Sequence, residues 1–453
     1  MKTRVFQYPK NVADELQDLK SDIAKHTEID YSYLLSEPRH RIFMSQDIYE
    51  LQKSVASYQT VKDIAHSMRG IEGYKFKYRA KPKDKKWLPF FAGQVYRYLV
   101  APGEDKYVEF SDHIGNPDYM RFFEGDRLLV RRVVSRRNRL QAMSASEDFV
   151  IGKDLYSLLV HDSNYQLPYV LALLNSSLIS YLYYMRSTVA QKDDFRQTTL
   201  DEIRDLPVAP TSEHEQQRIA KLVEKLTQLK ARIAKLNFSD DFKTYFHTQP
   251  AAVITLSVLL RWNELKPAQN KRLLDTERRH GTITSVQINE DADWLTFRIS
   301  GKQTGNSGAR DLQDIDLFSV EVKNQSVRTF VRNLFPSCRA ISAQKKYMLD
   351  SVLEQRLPSF AGNMQKNLTE IDRIVKAYEA ACQGFRDLVD DMRETEAAID
   401  AGVFAVYKIS PTATDTILST LDRDAASGFT PSNPEVDLDE DYRRRVYRNM
   451  TAS

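Results

Sequence analysis

The pattern of apolar residues changes character along the chain. Between residues 61 and 160, short apolar stretches rich in β-branched and aromatic residues are separated by Gly, Pro and Asp. This pattern predicts the strands of a β-rich domain, most clearly over 94–100, 127–134 and 156–160. The stretch 166–186 is apolar apart from a central Asn-Ser-Ser, and we interpret it as two buried helices rather than a membrane span.

Two further segments carry apolar residues at alternating steps of three and four, the spacing of a heptad seam. The helix-contact positions that this spacing predicts are Ile219, Leu222, Leu226, Leu229 and Ile233 in the first segment, and Ile371, Val375, Tyr378 and Phe385 in the second. The two helices can pack as an antiparallel pair that carries a small domain at its tip, or they can contact the helices of another protein. An ordinary amphipathic helix facing a core is the alternative for each.

Together these patterns predict an α+β fold, in which a β-rich domain is followed by a coiled-coil-like helix pair that carries a small α/β insert. We expect the following segments: a short α/β lead-in over 1–45, the β-rich domain over 46–210, a spacer helix over 211–239, the insert over 240–345, a long return helix over 346–410 and a surface tail over 411–453.

Positive charge is concentrated in one part of the chain. The net charge of the 453 residues is +3, but residues 61–140 hold 18 Lys or Arg against 10 Asp or Glu, so the remainder is negative. A concentration of positive charge of this kind is typical of a protein that binds a polyanion. Two widely separated cysteines and the lack of a long apolar run favour a cytoplasmic protein with no membrane span. With only 15 glycines, a nucleotide- or SAM-binding α/β domain is not expected.

Two clusters of basic residues are candidates for contacts with DNA. The first lies at and beyond a predicted strand and consists of Arg131, Arg132, Arg136, Arg137, Asn138 and Arg139. The second consists of Arg69, Tyr74, Lys75, Lys77, Arg79 and Arg97, with further lysines at 81, 83, 85 and 86. Arginine can bond phosphate or guanine with two parallel hydrogen bonds, whereas the lysines are better suited to phosphate. A solvated face without a ligand is the alternative for both.

Candidate catalytic motifs are weak. Asn116-Pro117-Asp118-Tyr119 departs from the amino-methyltransferase motif at its third position and follows no apolar strand, so we interpret it as a turn. Asp314, Asp316, Glu321 and Lys323 have the residue types of a metal-dependent nuclease, but such triplets are common on exposed strands. The histidines show no metal-ligand spacing. We therefore expect no metal site and no catalytic activity in this chain.

The order of several short motifs resembles the TaqI-like C-terminal specificity domain of type II restriction–modification methyltransferases. The resembling segments are Val61-Lys-Asp-Ile-Ala, Arg69-Gly-Ile-Glu-Gly73, Trp87-Leu-Pro-Phe-Phe-Ala-Gly93, Arg97-Tyr98, Leu128-Leu-Val-Arg-Arg132, Leu171-Ala-Leu-Leu-Asn175-Ser-Ser177, Leu206-Pro207-Val-Ala-Pro210, Glu215-Gln-Gln-Arg218 and Ile399-Asp400. The turn at Gly73 is one residue shorter than the family pattern. The resemblance covers about half the chain and leaves the insert unexplained.

The resemblance implies a sequence-specific DNA recognition subunit of a restriction–modification or methylation-based phage-defence system. Such a subunit binds double-stranded DNA and directs a partner methyltransferase, on which SAM is expected, while binding no cofactor itself. In the family a catalytic domain normally precedes this part, and residues 1–45 look like its last strand and helix. The alternatives are the C-terminal part of a split enzyme with a hidden nuclease in the insert, and a non-catalytic scaffold or remnant.

Overall fold

In a computed structural model of the chain, the structure describes residues 2–7, 25–36, 46–72, 77–85, 87–101, 103–109, 117–134, 138–187, 197–235, 242–246, 252–266, 270–273, 280–305, 308–335, 341–343 and 347–426. The chain divides into two compact units, Met1–Leu236 with Leu388–Asn449, and Asn237–Asp387 with Met450–Ser453. Both units contain helices and mainly antiparallel strands, so the predicted α+β class is confirmed. Among these described residues, no helix is both long and apolar enough to cross a membrane.

Two four-stranded sheets form the β-rich part of the first unit. The strands of this unit are β1 (Lys2–Gln7), β2 (Lys25–Asp30), β3 (Gln59–Thr60), β4 (Ala65–Arg69), β5 (Tyr78–Arg79), β6 (Trp87–Phe91), β7 (Gln94–Tyr96), β8 (Leu99–Ala101), β9 (Lys106–Glu109), β10 (Arg127–Arg131), β11 (Ala142–Ala145), β12 (Val150–Ile151), β13 (Leu155–Val160) and β14 (Pro207–Val208). One sheet has the order β11-β10-β13-β4 and is antiparallel throughout. The other has the order β12-β6-β9-β5, with β12 parallel to β6.

An apolar core joins the two sheets. Leu129 of β10, Val108 of β9 and Val150 of β12 are fully buried in it. Both faces of β10 are covered, since the successive residues Leu128, Leu129 and Val130 are all fully buried, and this explains its continuous apolar run. The predicted strand over 94–100 is instead a hairpin of β7 and β8, because the chain reverses at Arg97-Tyr98, where Tyr98 has a φ of 59°.

The helices of the first unit begin with α1 (Tyr31–Ser36), α2 (Gln46–Val55), α3 (Val61–Ile64), α4 (Leu167–Asn175), α5 (Ser177–Arg186), α6 (Leu200–Arg204) and α7 (Glu213–Lys235), with a 3-10 helix at Pro117–Phe122. The buried pair predicted over 166–186 is found as α4 and α5. Ser176 separates them, since its backbone is extended and its hydroxyl accepts a hydrogen bond from Ile179 N at 3.1 Å. This is the usual role of serine before a helix.

A five-stranded antiparallel sheet dominates the second unit. Its elements are β15 (Ala252–Thr255), α8 (Leu256–Leu259), β16 (Lys271–Leu273), β17 (His280–Asp291), β18 (Trp294–Gly305), β19 (Gly308–Glu321), α9 (Gln325–Leu334), β20 (Ile341–Ala343), α10 (Met348–Leu353) and β21 (Arg356–Ser359), with 3-10 helices at Phe242–Tyr245 and Trp262–Glu264. The sheet order is β16-β19-β18-β17-β20. Strands β18 and β19 form a long hairpin, because they remain paired as far as Gly305 and Gly308.

The long return helix is α11 (Met364–Val406), followed by α12 (Pro411–Ala426). It begins later than the expected 346, because α10 and β21 occupy the intervening residues. Pro358 in β21 lacks an amide hydrogen and disfavours a helical conformation at Leu357. Helix α11 contributes to both units, since its residues up to Asp387 belong to the second and those from Leu388 to the first.

The two heptad seams are buried in different units. Ile371 and Val375 lie in the apolar core of the second unit, where the Tyr378 ring contacts Phe242 edge-on at 5.1 Å. Phe385 is half-buried. In the first unit, the seam of α7 is buried at Ile219, Leu226, Leu229 and Ile233, whereas Leu222 is half-buried.

Helix α7 packs antiparallel to the C-terminal part of α11. A Cβ atom at Gly402 would lie 3.2 Å from the Ile219 side chain. Further along α7, Lys230 Nζ lies 2.6 Å from Glu396 Oε1. Later residues of α7 therefore meet earlier residues of α11.

Candidate nucleic-acid interface

A group of exposed basic residues lies on and on both sides of the edge strand β5. We call Lys77, Arg79, Lys81, Lys83 and Lys85 the basic segment; all five are exposed. Tyr78 alternates with the first two, and its half-buried ring contacts Phe90 edge-on at 4.9 Å. Because successive side chains of a strand point to opposite faces, Lys77 and Arg79 project away from the core on the same side.

Few acidic groups lie close enough to neutralise the positive charges of the basic segment. Lys77 Nζ lies 3.7 Å from Glu109 Oε2, and the Arg79 guanidinium lies 5.4 Å from the centre of the Trp87 ring. Within the described parts of the chain, the other three lysines make no ion pair. Exposed ammonium groups on an irregular connection can contact phosphates in many geometries, but they carry little base specificity.

Arg69 lies at the end of β4, the edge strand of the other sheet. Its Nε donates a hydrogen bond to the carbonyl of Lys153 at 3.1 Å, and the side chain is exposed. This single backbone contact orients an exposed guanidinium, an arrangement that can bind phosphate.

Arg97 and Arg139, by contrast, belong to a charge cluster that joins the β-rich part to α11. Arg97 Nη1 donates to Glu396 Oε2 at 3.2 Å and its Nε donates to the carbonyl of Asn175 at 3.1 Å. Arg139 Nη2 lies 3.8 Å from Asp400 Oδ2. The structure thus gives Arg97, which we expected among the DNA contacts, an internal partner.

The positive charges of this cluster keep its carboxylate ionised. Burial opposes the charged form of Glu396, but Arg97 and Lys230 outweigh burial and lower the pKa of Glu396 to about 2. Burial alone would also lower the pKa of Arg97, but Glu396 raises it above its ordinary value. The cluster therefore stays ionised at neutral pH and fixes the turn between β7 and β8 against two helices.

The described residues of the arginine cluster at the end of β10 make contacts within the fold. Arg131 Nη1 donates to Gln141 Oε1 at 2.7 Å. The carbonyl of Arg132 accepts a hydrogen bond from Thr198 N at 2.7 Å. Asn138 is fully buried with a φ of 58°. A buried asparagine in this left-handed conformation shapes a turn, which is a different role from the contact with DNA that we expected.

Sequence reasoning missed the role of Arg127. This side chain is fully buried, and its guanidinium donates to the carbonyls of Gly125 at 2.7 Å and Glu147 at 2.8 Å. It also stacks 4.5 Å from the centre of the Phe149 ring. Burial lowers the pKa of Arg127, which Asp148 and Glu124 partly offset. Nothing in the local sequence distinguishes it from the exposed arginines.

Four residues of the candidate interface, Tyr74, Lys75, Arg136 and Arg137, lie outside the described residues. The structure therefore neither supports nor opposes their predicted contacts with DNA.

The carboxylates of the alternative nuclease site are engaged in other ways. Arg298 Nε donates to Asp316 Oδ1 at 2.6 Å, and Asp314 accepts a hydrogen bond from Ser300 Oγ at 3.1 Å. Within the described ranges, no three His, Cys, Asp or Glu residues are grouped as metal ligands. Pro117–Phe122 is a 3-10 helix, so most of the Asn-Pro-Asp-Tyr segment is a turn-like helix.

Residues 88–208 match the family model of the TaqI-like C-terminal specificity domain. This part of the chain is similar to that domain, and we call it the specificity domain. It comprises the strands from β6 to β14, helices α4 to α6, and two arginines of the charge cluster, Arg97 and Arg139. The basic segment immediately precedes the matched residues.

Part of the chain also has a relative in a much longer protein. The chain is 35% identical over 212 residues to a protein of Methanocaldococcus jannaschii, named as a candidate type II restriction enzyme and methyltransferase. The match covers 45% of this chain but 18% of that protein. The chain therefore spans less than a fifth of that relative.

Solved structures of type I restriction–modification specificity subunits are similar over most of the chain but only distantly. The subunit from M. genitalium is 13% identical, with 77% of this chain and 95% of that chain covered at a TM-score of 0.36. The HsdS subunit from Thermoanaerobacter tengcongensis is 10% identical, with 76% and 97% covered at a TM-score of 0.28. At these TM-scores the likeness does not bear on how this chain works.

Proposed function

We propose that this chain recognises double-stranded DNA as the specificity part of a restriction–modification or methylation-based defence system. The observation that carries the proposal is the TaqI-like specificity domain at 88–208, which directly follows an exposed basic segment. The exposed lysines and Arg69 supply phosphate contacts, which fix orientation on a duplex. Base readout then falls to residues of the specificity domain.

The chemistry is assigned to a partner. A SAM-dependent DNA methyltransferase is the partner that fits a specificity domain, and it supplies the cofactor, flips the base and transfers the methyl group. This chain contributes binding and orientation. The charge cluster around Glu396 holds the specificity domain against α7 and α11. These two helices therefore fix the position of the recognition surface.

Selection of bound duplexes from a random-sequence pool, followed by sequencing, tests this function. The full chain is used alone and together with a candidate methyltransferase. We expect one enriched motif, with enrichment lost in the Arg136→Ala/Arg137→Ala variant and affinity reduced in a Lys81→Gln/Lys83→Gln/Lys85→Gln variant. Binding without enrichment in either setting would leave a scaffold or remnant as the better account.

A further inference from the structure

An open cleft of about 480 Å³ lies beside the edge strand β11 in the first unit. Aromatic rings form part of its wall, and Phe91 and Phe149 are stacked with their ring centres 5.2 Å apart. Both rings are half-buried. Behind Phe149 lies the buried guanidinium of Arg127, which holds the ring in place through the contact described above. The cleft therefore offers a fixed aromatic surface.

The charged groups around this cleft are mainly acidic, although residues 61–140, which contain it in part, carry a net positive charge. Glu104, Asp105 and Glu147 line it, and a single ammonium group, Lys106, lies among them 3.7 Å from Glu104. The negative charge of the cleft repels the phosphates of a nucleic acid and attracts a cationic ligand. A guanidinium or ammonium group is attracted both to carboxylates and to the faces of aromatic rings.

The edge of β11 also presents free backbone groups to the cleft. Arg131 N donates to the carbonyl of Gln141 at 2.8 Å. Because bonded and non-bonded pairs alternate along an antiparallel ladder, the N–H and C=O groups of Ala142 and Ser144 point away from β10. Those of Ala142 are occupied, since Asn175 donates to its carbonyl and accepts from its N–H, each at 2.8 Å.

Ser144 differs from Ala142 in this respect. It is exposed, it lines the cleft, and among the described residues its outward N–H and C=O have no partner. Unpaired groups at a sheet edge are a template for the addition of another strand.

We propose that β11 and the cleft bind an extended, basic segment of a partner protein by strand addition. The segment's backbone bonds to the N–H and C=O of Ser144, and one of its arginine or lysine side chains lies against Phe91 and Phe149, paired with the carboxylates of the rim. This mode of binding combines backbone affinity with a pocket that selects the side chain.

Fluorescence anisotropy with two labelled octapeptides tests the proposal on the full chain. One peptide alternates threonine with arginine, and the other alternates threonine with glutamate. We expect saturable binding of the arginine peptide alone. In a Glu104→Gln/Asp105→Asn/Glu147→Gln variant its affinity should fall at least roughly tenfold, as loss of close charge pairing implies. A control variant with Glu124→Gln, Asp126→Asn and Glu394→Gln, three exposed acids outside the cleft, should bind within about twofold of the parent.

Strand addition has its own test in Ser144→Pro. Proline removes the outward N–H without removing a ladder bond to β10, so a folded variant should also lose roughly tenfold in affinity for the arginine peptide. Circular dichroism and thermal melting report whether the variant folds; if it does not, the charge-neutralised variant, whose backbone is unchanged, decides alone. Equal binding of both peptides, or equal binding by cleft and control variants, would overturn the proposal. Duplex DNA binding by the same samples tests the recognition function separately.

Discussion

Asp400 of α11 caps a helix that lies 223 positions earlier in the sequence. Its Oδ1 accepts a hydrogen bond from the backbone N–H of Ser177 at 2.8 Å, and its Oδ2 accepts one from the Ser177 hydroxyl. Ser177 is the first residue of α5, so the carboxylate lies at the positive end of the helix dipole. This contact joins two of the motifs that resemble the TaqI-like family, the one at 171–177 and the one at 399–400.

Removal of this carboxylate is expected to destabilise the first unit. Asp400→Ala leaves the Ser177 N–H without its acceptor and Arg139 without its ion pair, and we expect a loss of about 2 kcal/mol in the free energy of unfolding. Urea unfolding followed by circular dichroism measures the loss. The matched control is Asp390→Ala on the same helix, whose exposed pair with Arg393 should contribute less than about 0.5 kcal/mol. Equal effects of the two substitutions would contradict a capping role.

Glu396 should make stability depend on pH in the acid range. Its pKa lies at about 2 in the folded chain, below its ordinary value of 4.5, so its contribution is fully present above about pH 5 and is lost as the pH falls towards 2. Glu396→Gln should cost about 3 kcal/mol at pH 7, since Arg97 and Lys230 lose their partner, and the difference from the parent should shrink below pH 4.

Unfolding free energies measured in urea between pH 3 and pH 7 test this pH dependence. Glu394→Gln, an exposed acid two residues away, serves as the control and should follow the parent curve. A difference between Glu396→Gln and the parent that stays constant with pH would mean that packing, and not charge, accounts for the loss.

The basic segment should determine the salt dependence of DNA binding. Replacement of Lys81, Lys83 and Lys85 by glutamine removes three exposed charges without an ion-pair partner among the described residues. We expect weaker binding to all duplexes and a shallower plot of log K against log salt, by roughly 0.9 for each phosphate that the variant no longer neutralises. A variant with Lys221→Gln, Lys323→Gln and Lys366→Gln makes the same change in net charge elsewhere. An identical slope in both variants would mean that net charge alone accounts for binding.

Ile371 tests whether the second heptad seam is internal. Its side chain is fully buried in the core of the second unit, so Ile371→Ala should lower the free energy of unfolding by about 2–5 kcal/mol. Phe385→Ala, at a half-buried position of the same seam, should cost less. Thermal unfolding and size-exclusion chromatography measure both. If Ile371→Ala weakened association with a partner and left the unfolding midpoint unchanged, this seam would be an intermolecular contact.

Local patterns in the sequence were sufficient for several elements of the fold. The Asn-Ser-Ser of residues 175–177 interrupts an apolar run, and all three side chains have a structural role. Of these contacts only the capping of α5 by Ser176 is local, because Asn175 bonds to Ala142 and Ser177 to Asp400, both distant in the sequence. The start of α7 was equally predictable, since Ser212 Oγ accepts a hydrogen bond from Glu215 N at 3.3 Å. Caps and turns involve neighbours in the sequence, so their signals are local.

The sequence by itself thus determined the helix and strand patterns, the concentration of positive charge and the order of motifs typical of a specificity domain. Only the tertiary structure decided which basic residues are accessible. Arg127, Arg131 and Lys77 follow similar local patterns, yet Arg127 is buried among carbonyls, Arg131 is bonded to Gln141, and Lys77 is exposed. The reason is tertiary: β10 is a central strand with both faces covered, whereas Lys77 lies next to the edge strand β5. Strand order is fixed by pairing between residues far apart in the chain.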